Sequence, residues 1–166
     1  MSSNDKNLSD LNYNVEGDTS ELRIGIVRSE WNDEITGGLH KGALDALHRL
    51  GVIDKHIRSI DVPGSYELPL GAQMLIEECD PLPSAVICLG CVIRGETSHF
   101  EYVSQSVSLG IKDVGLKYNL PVIFGVLTDD NIEQSRARSG GELGNKGEEA
   151  AVTAVQMALL QRKIRK

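Results

Sequence analysis

The chain has 166 residues, 40% of them hydrophobic, and a formal net charge of -7, which suits one domain large enough to bury its own core. No dense basic face is present to reward counterion release, so the expectation is no nucleic acid, and no apolar run is long enough for a span, so no membrane. Residues 1–21 carry five acids against one lysine. They lack the basic start and apolar stretch of a secretory signal and read as a flexible N-terminal arm before a domain over 22–166. Three cysteines, Cys79, Cys88 and Cys91, make an odd count without a secretion signal. Free thiols and a cytoplasmic location are expected.

In chain order, residues 22–27 form a short apolar strand, and Leu39, Ala43, Ala46, Leu47 and Leu50 then recur at helical spacing until Gly51 stops the helix. Ile57, Ile60 and Val62 mark a second strand, closed by Pro63-Gly64. Pro69 then takes an early position in a helix ending near Glu78. Residues 85–93 run A-V-I-C-L-G-C-V-I without alternation, as in a strand buried on both faces. Ser98 with Glu101 has the spacing of a capping box, so the next helix starts at His99, with core positions Val103, Val107, Ile111, Val114 and Tyr118. A fourth strand covers residues 122–127 and a short helix 131–138. Ser139-Gly140-Gly141 is a break, and a long alanine-rich helix closes the chain. Four strands, each followed by a helix, predict a parallel sheet with helices on both faces.

In such a sheet the loops after the strands share one edge, where ligands bind. Candidate groups gather there. His99 follows Gly95, Glu96 and Thr97 and is placed as an acid/base beside backbone N–H groups that suit an anion. Trp31 lies in the polar loop S-E-W-N-D and offers a stacking face, while Glu67, in V-P-G-S-Y-E-L-P, suits polyol hydroxyls. Arg136 and Arg138, followed by Asn145-Lys146-Gly147 at a helix start, read as a phosphate clamp. The pair Cys88-Leu-Gly-Cys91 ends a strand, where residues three apart face opposite sides. No second pair completes a zinc site, so no metal is expected, and without a G-x-G-x-x-G or Walker loop no nucleotide cofactor.

Six segments in order resemble the lumazine synthase (6,7-dimethyl-8-ribityllumazine synthase) family. They are W-N-D-E-I-T from Trp31 with V-P-G-S-Y-E-L-P from Val62, L-G-C-V-I-R-G-E-T-S-H-F up to Phe100, P-V-I-F-G-V-L-T from Pro121, E-Q-S-R-A-R-S-G from Glu133, and N-K-G-E-E-A-A from Asn145. The resemblance implies a three-layer α/β/α fold with a four-stranded parallel sheet in flavodoxin-like order. It also implies the penultimate step of riboflavin biosynthesis, run without a cofactor: 5-amino-6-(D-ribitylamino)uracil condenses with 3,4-dihydroxy-2-butanone 4-phosphate to give the lumazine, phosphate and water.

On the matching positions His99 is the expected general acid/base. Arg138 is the phosphate ligand, helped by N–H groups around Glu96 and Thr97. Trp31 stacks on the pyrimidine, and Ser65, Tyr66 and Glu67 hold the ribityl chain. Cys91, Val92 and Ile93 meet the ring edge through backbone groups, and Lys146 and Glu149 complete a charged rim. Phe124 and Arg138 resemble residues supplied by a neighbouring subunit of a homopentamer. The short link over residues 139–144 is like that of members that assemble twelve pentamers into an icosahedral capsid. Bacterial members usually carry phenylalanine at Trp31 and arginine at Glu30, and the larger indole suits a flavin. The same resemblance therefore also admits a non-catalytic riboflavin- or lumazine-binding protein. A phosphosugar aldolase using Lys146 in a Schiff base is disfavoured by the neighbouring Glu149.

Overall fold

In the computed structural model, residues 15–165 are described. The helices and main strands are β1 (Ile24–Ser29), α1 (Asp33–Arg49), β2 (Ile57–Val62), α2 (Leu68–Glu78), β3 (Ala85–Ile93), α3 (His99–Tyr118), β4 (Val122–Asp129), α4 (Ile132–Arg138) and α5 (Lys146–Ile164). The four strands form one parallel sheet in the order β2-β1-β3-β4. Helices α1 and α5 pack on one face and α2 and α3 on the other, so the fold is a three-layer α/β/α sandwich.

β3 is central and buried along most of its length, which is why its sequence is apolar without alternation. Its side chains divide between two cores. Ile87, Leu89 and Cys91 face α1 and α5, and Val86 and Cys88 face α2 and α3. The two thiols of the C-x-x-C pair therefore lie on opposite sides of the sheet, and all three cysteines are free. Burial pushes both the Cys88 and the Cys91 thiols up, away from the reactive thiolate.

Two details differ from the sequence reading. The link at 139–144 is an antiparallel hairpin, β5 (Ser139–Gly141) with β6 (Gly144–Asn145), turned through Gly140 and Gly144 at φ 123° and 81°. The capping box at α3 does not form. Ser98 is near-helical at φ -68°, ψ 5°, with no side-chain bond to the helix, and Glu101 is taken by Arg94. Ahead of residue 22, Val15 packs on the core, and Thr19 is buried with its hydroxyl donating to the Leu50 carbonyl at 2.6 Å. The rest of the expected arm, residues 1–14, lies outside the described residues, as does Lys166. Arg162 in the last turn of α5 donates to the Asp18 carbonyl, so a cation at that helix end also holds the segment over 15–21. No helix among the described residues is long and apolar enough to cross a membrane.

Candidate active site

At the carboxyl ends of the strands, three loops are sewn to each other. Trp31 N–H donates to the Pro63 carbonyl at 3.2 Å, and Glu30 N–H to Val62 at 2.8 Å, joining the loops after β1 and β2. The Cys91 carbonyl on β3 accepts from Asn32 Nδ2 at 3.1 Å and from Ser65 Oγ at 3.4 Å. Its oxygen is thus occupied within the chain, and it fixes the position of both flanking loops. Asn32 stands in the left-handed region, at φ 62°, ψ 46°. Nothing in the hydrophobic pattern marks this residue. The available signal is that asparagine tolerates such a turn better than most residues.

On this scaffold Trp31 is 73% and Tyr66 62% exposed, two aromatic faces offered to solvent beside the buried Ser65. Glu67 is half-buried at the start of α2, its carboxylate close over Gly64. Val92 and Ile93 are half-buried at the end of β3, and residues 94–99 are exposed. The exposed run is tethered at its first residue. Arg94 N–H donates to the Asp129 carbonyl, its guanidinium bonds Asp130 and Glu101, and it lies 4.2 Å from the Phe100 ring centroid. Gly95 leaves open space where a Cβ would stand, and Glu96, Thr97 and His99 follow it to the start of α3, where His99 N–H approaches Thr97 Oγ1 at 3.4 Å.

A second cluster lies along β4, at the open edge of the sheet. A cavity of about 660 Å³ is lined there by Phe124, Asp129, Arg138, Lys146 and Glu149, among others. Lys146 Nζ donates to both Glu149 carboxylate oxygens, at 2.8 and 2.9 Å. This ion pair leaves Lys146 poorly suited to attack a carbonyl, which argues against Schiff-base chemistry. Arg138 donates to the Gln134 carbonyl at 2.9 Å and holds Asp129 at 3.9 Å.

The expected clamp of two arginines is not built. Residues two apart on a helix point in nearly opposite directions, and Arg136 turns to Glu34 in a bidentate pair at 2.7 and 2.9 Å. Only Arg138 lines the cavity. The N–H groups at the start of α5 are also taken, because Asn145 Oδ1 accepts from Gly147 and Glu148. Those two N–H groups are therefore not open to an anion.

The helices that carry His99 and Arg138 pack on opposite faces of the sheet. His99 opens α3, on the face shared with α2, whereas Arg138 ends α4, whose Ile132 packs on the core shared by α1 and α5. His99 is not among the residues lining the β4 cavity. Within one chain, the exposed His99 thus lies outside the cavity that Arg138 lines.

These features define an open parallel-sheet α/β protein with binding groups at the carboxyl ends of its strands. Comparison with known proteins narrows the class. Residues 21–162 match the sequence profile of 6,7-dimethyl-8-ribityllumazine synthase. A protein of that name from Cytophaga hutchinsonii is 52% identical over 157 residues, covering 95% of this chain and 97% of the relative. Those from Christiangramia forsetii and Flavobacterium psychrophilum are each 48% identical, covering 98% and 97% of this chain and 96% and 84% of the relatives. The chain belongs to the 6,7-dimethyl-8-ribityllumazine synthase family.

Proposed function

We propose that this chain is a transferase that condenses 5-amino-6-(D-ribitylamino)uracil with 3,4-dihydroxy-2-butanone 4-phosphate, releasing phosphate and water. The observation that carries this reading is identity of about half the residues with named synthases across nearly the whole chain. The 5-amino nitrogen attacks the ketone and water leaves, forming an imine. Loss of a proton from the adjacent carbon expels phosphate from the terminal one. The resulting enol becomes a ketone, and the ribitylamino nitrogen closes the second ring on it with loss of the second water.

Each step moves a proton, and His99 is the group given that role. Trp31 stacks on the pyrimidine, and backbone groups of Val92 and Ile93 meet its edge, the Cys91 carbonyl being held by Asn32 and Ser65. Ser65, Tyr66 and Glu67 hold the ribityl hydroxyls. Phosphate lies between Arg138 and the N–H groups around Glu96 and Thr97, where charge-assisted hydrogen bonds stabilise it as it leaves. Lys146, paired with Glu149, rims the same end.

A site needing both His99 and Arg138 is completed by a neighbouring copy, whose β4 edge brings Phe124 and Arg138 to the His99 edge of the next. A homopentamer supplies that relation. An exposed apolar groove lined by Leu116, Phe124, Met157, Leu160 and Ile164 supports a subunit contact along β4, α3 and α5. The hairpin in the short link is compatible with further assembly into a sixty-subunit shell. The reaction needs no cofactor and takes place in the cytoplasm. The exposed Trp31 indole also favours a second reading, a riboflavin- or lumazine-binding protein without turnover.

Mixing the two substrates and following lumazine absorbance tests the proposal. Product formation supports the synthase. No product from folded, assembled protein would leave the binding protein, and yellow colour retained on purification would show that flavin is held.

A further inference from the structure

Asp129 ends β4 with only 8% of its surface exposed. A carboxylate removed from water needs compensating partners. Two come from α4. Ser135, fully buried, donates its hydroxyl to Oδ2 at 2.8 Å, and Arg138 brings Nε to 3.9 Å from Oδ1. Residues three apart share one helix face, so the sequence of α4 presents both groups to the end of β4.

The direction of the hydrogen bonds fixes which atoms remain. Burial raises the Cys91 thiol, so it keeps its proton and donates to Ser135 Oγ at 3.4 Å. Ser135 then donates to Asp129, which as a carboxylate only accepts. The chain of donors runs from Cys91 through Ser135 and ends on Oδ2, leaving Oδ1 toward the guanidinium. On its other side Arg138 donates Nη1 to the Gln134 carbonyl. At 3.9 Å the Asp129 contact is an ion pair too long to be a hydrogen bond, so Asp129 restrains the fork without consuming an N–H.

Resting on the reading of Arg138 as the phosphate ligand, we propose that Asp129, supported by Ser135, is a positioning residue for phosphate recognition. It does not touch the substrate. It holds the guanidinium in the β4 cavity so that its free edge meets the phosphate dianion. The carboxylate also subtracts positive charge there. Orientation outweighs that subtraction, because an arginine fork recognises phosphate only in a fixed plane.

The test uses the assembled protein and compares Asp129→Asn, Ser135→Ala, Arg138→Ala and the Asp129→Asn/Arg138→Ala double variant. Read-outs are the KM for each substrate, kcat, and inhibition by inorganic phosphate. Asp129→Asn keeps the shape and the acceptor for Ser135, and should weaken both the phosphorylated substrate and inorganic phosphate about tenfold. The pyrimidine KM should stay unchanged and kcat should move less than about threefold. Ser135→Ala should show the same pattern at about threefold. In the Arg138→Ala background, Asp129→Asn should add nothing, an interdependence that general damage to the fold does not produce. Unchanged or tighter phosphate binding in Asp129→Asn, or effects that simply add in the double variant, would overturn the proposal. Phosphate affinity unaffected by Arg138→Ala would instead overturn the role of Arg138 itself. Should Asp129→Asn not assemble, Ser135→Ala decides, because it keeps the charge, and wild-type phosphate affinity there would count against the network.

Discussion

The side-chain amide of Asn32 donates to the Cys91 carbonyl at 3.1 Å, tying the turn after β1 to the central strand. The same residue accepts the N–H groups of Ile35 and Thr36 on its own carbonyl and starts α1 from a left-handed backbone. Trp31, one residue earlier, is held by its backbone, leaving the indole free.

Two substitutions separate the contributions of Asn32. Glycine accepts the left-handed turn and loses only the side-chain bond, at a cost of about 1 kcal/mol. Alanine loses the bond and is strained as well, for about 2 kcal/mol. Both should raise the KM of the pyrimidine substrate, alanine more. Urea unfolding would check the order, and an alanine variant as stable as the glycine variant would remove backbone strain from the account.

The glycine at the start of α5 is the next position where geometry predicts a sign. A Cβ on Gly147 would stand 1.9 Å from the Leu39 carbonyl oxygen on α1, a contact with backbone that no side-chain rotation relieves. Gly147→Ala should destabilise by about 3 kcal/mol and displace the neighbouring Lys146 and Glu149. Gly95→Ala is the control, since a Cβ there meets nothing within 4 Å and stability should hold within about 0.5 kcal/mol. Thermal unfolding of both variants tests the contrast. Equal losses would show that the α1–α5 approach yields more easily than the geometry implies.

Much of this was legible in the chain. The apolar run over Ala85–Ile93 gave β3 with its bounds, and the stripe of Val107, Ile111 and Val114 gave the core face of α3, because burial leaves a direct periodic signature. Pairings between distant side chains leave none. Glu101 has the spacing of a capping residue, yet Arg94, seven residues earlier, takes it, and Arg136 leaves the expected clamp for Glu34, 102 positions away. The hairpin at Ser139–Gly141 leaves no such signature, because a three-residue strand paired to a two-residue strand is too short for alternation to register. The packing of the helices that carry His99 and Arg138 on opposite faces follows from the layer order, and only the assembled topology shows it.

His40 carries a pH prediction. Its ring lies 3.0 Å from Ser59 Oγ, and burial holds the imidazole below its ordinary value, helped by Arg28 and opposed by Asp61. The unfolded chain therefore binds this proton more readily than the folded one. Its contribution is complete above about pH 6.5 and is lost as pH falls from there toward the lowered folded value. His40→Gln, which cannot take the proton, should lose less stability than wild type between pH 7.5 and about pH 5. Urea midpoints at the two pH values measure it, and an identical drop in both proteins would assign the acid sensitivity elsewhere.

The division of the proposed site between two copies is tested by mixing defective subunits. His99→Ala should slow turnover by about 10² or more without abolishing it, because substrate positioning survives, and Arg138→Ala should impair the phosphorylated substrate. Each variant keeps the group the other lacks. If a site takes His99 from one subunit and Arg138 from the next, random co-assembly of equal amounts makes about a quarter of the sites complete, with half the subunits able to supply each side. Denaturing the two together and refolding them should restore about a quarter of wild-type activity, and refolding each alone should restore none beyond its own residual rate. A mixture no more active than the mean of its components would place His99 and Arg138 in the same chain's site, which the opposed faces of α3 and α4 argue against.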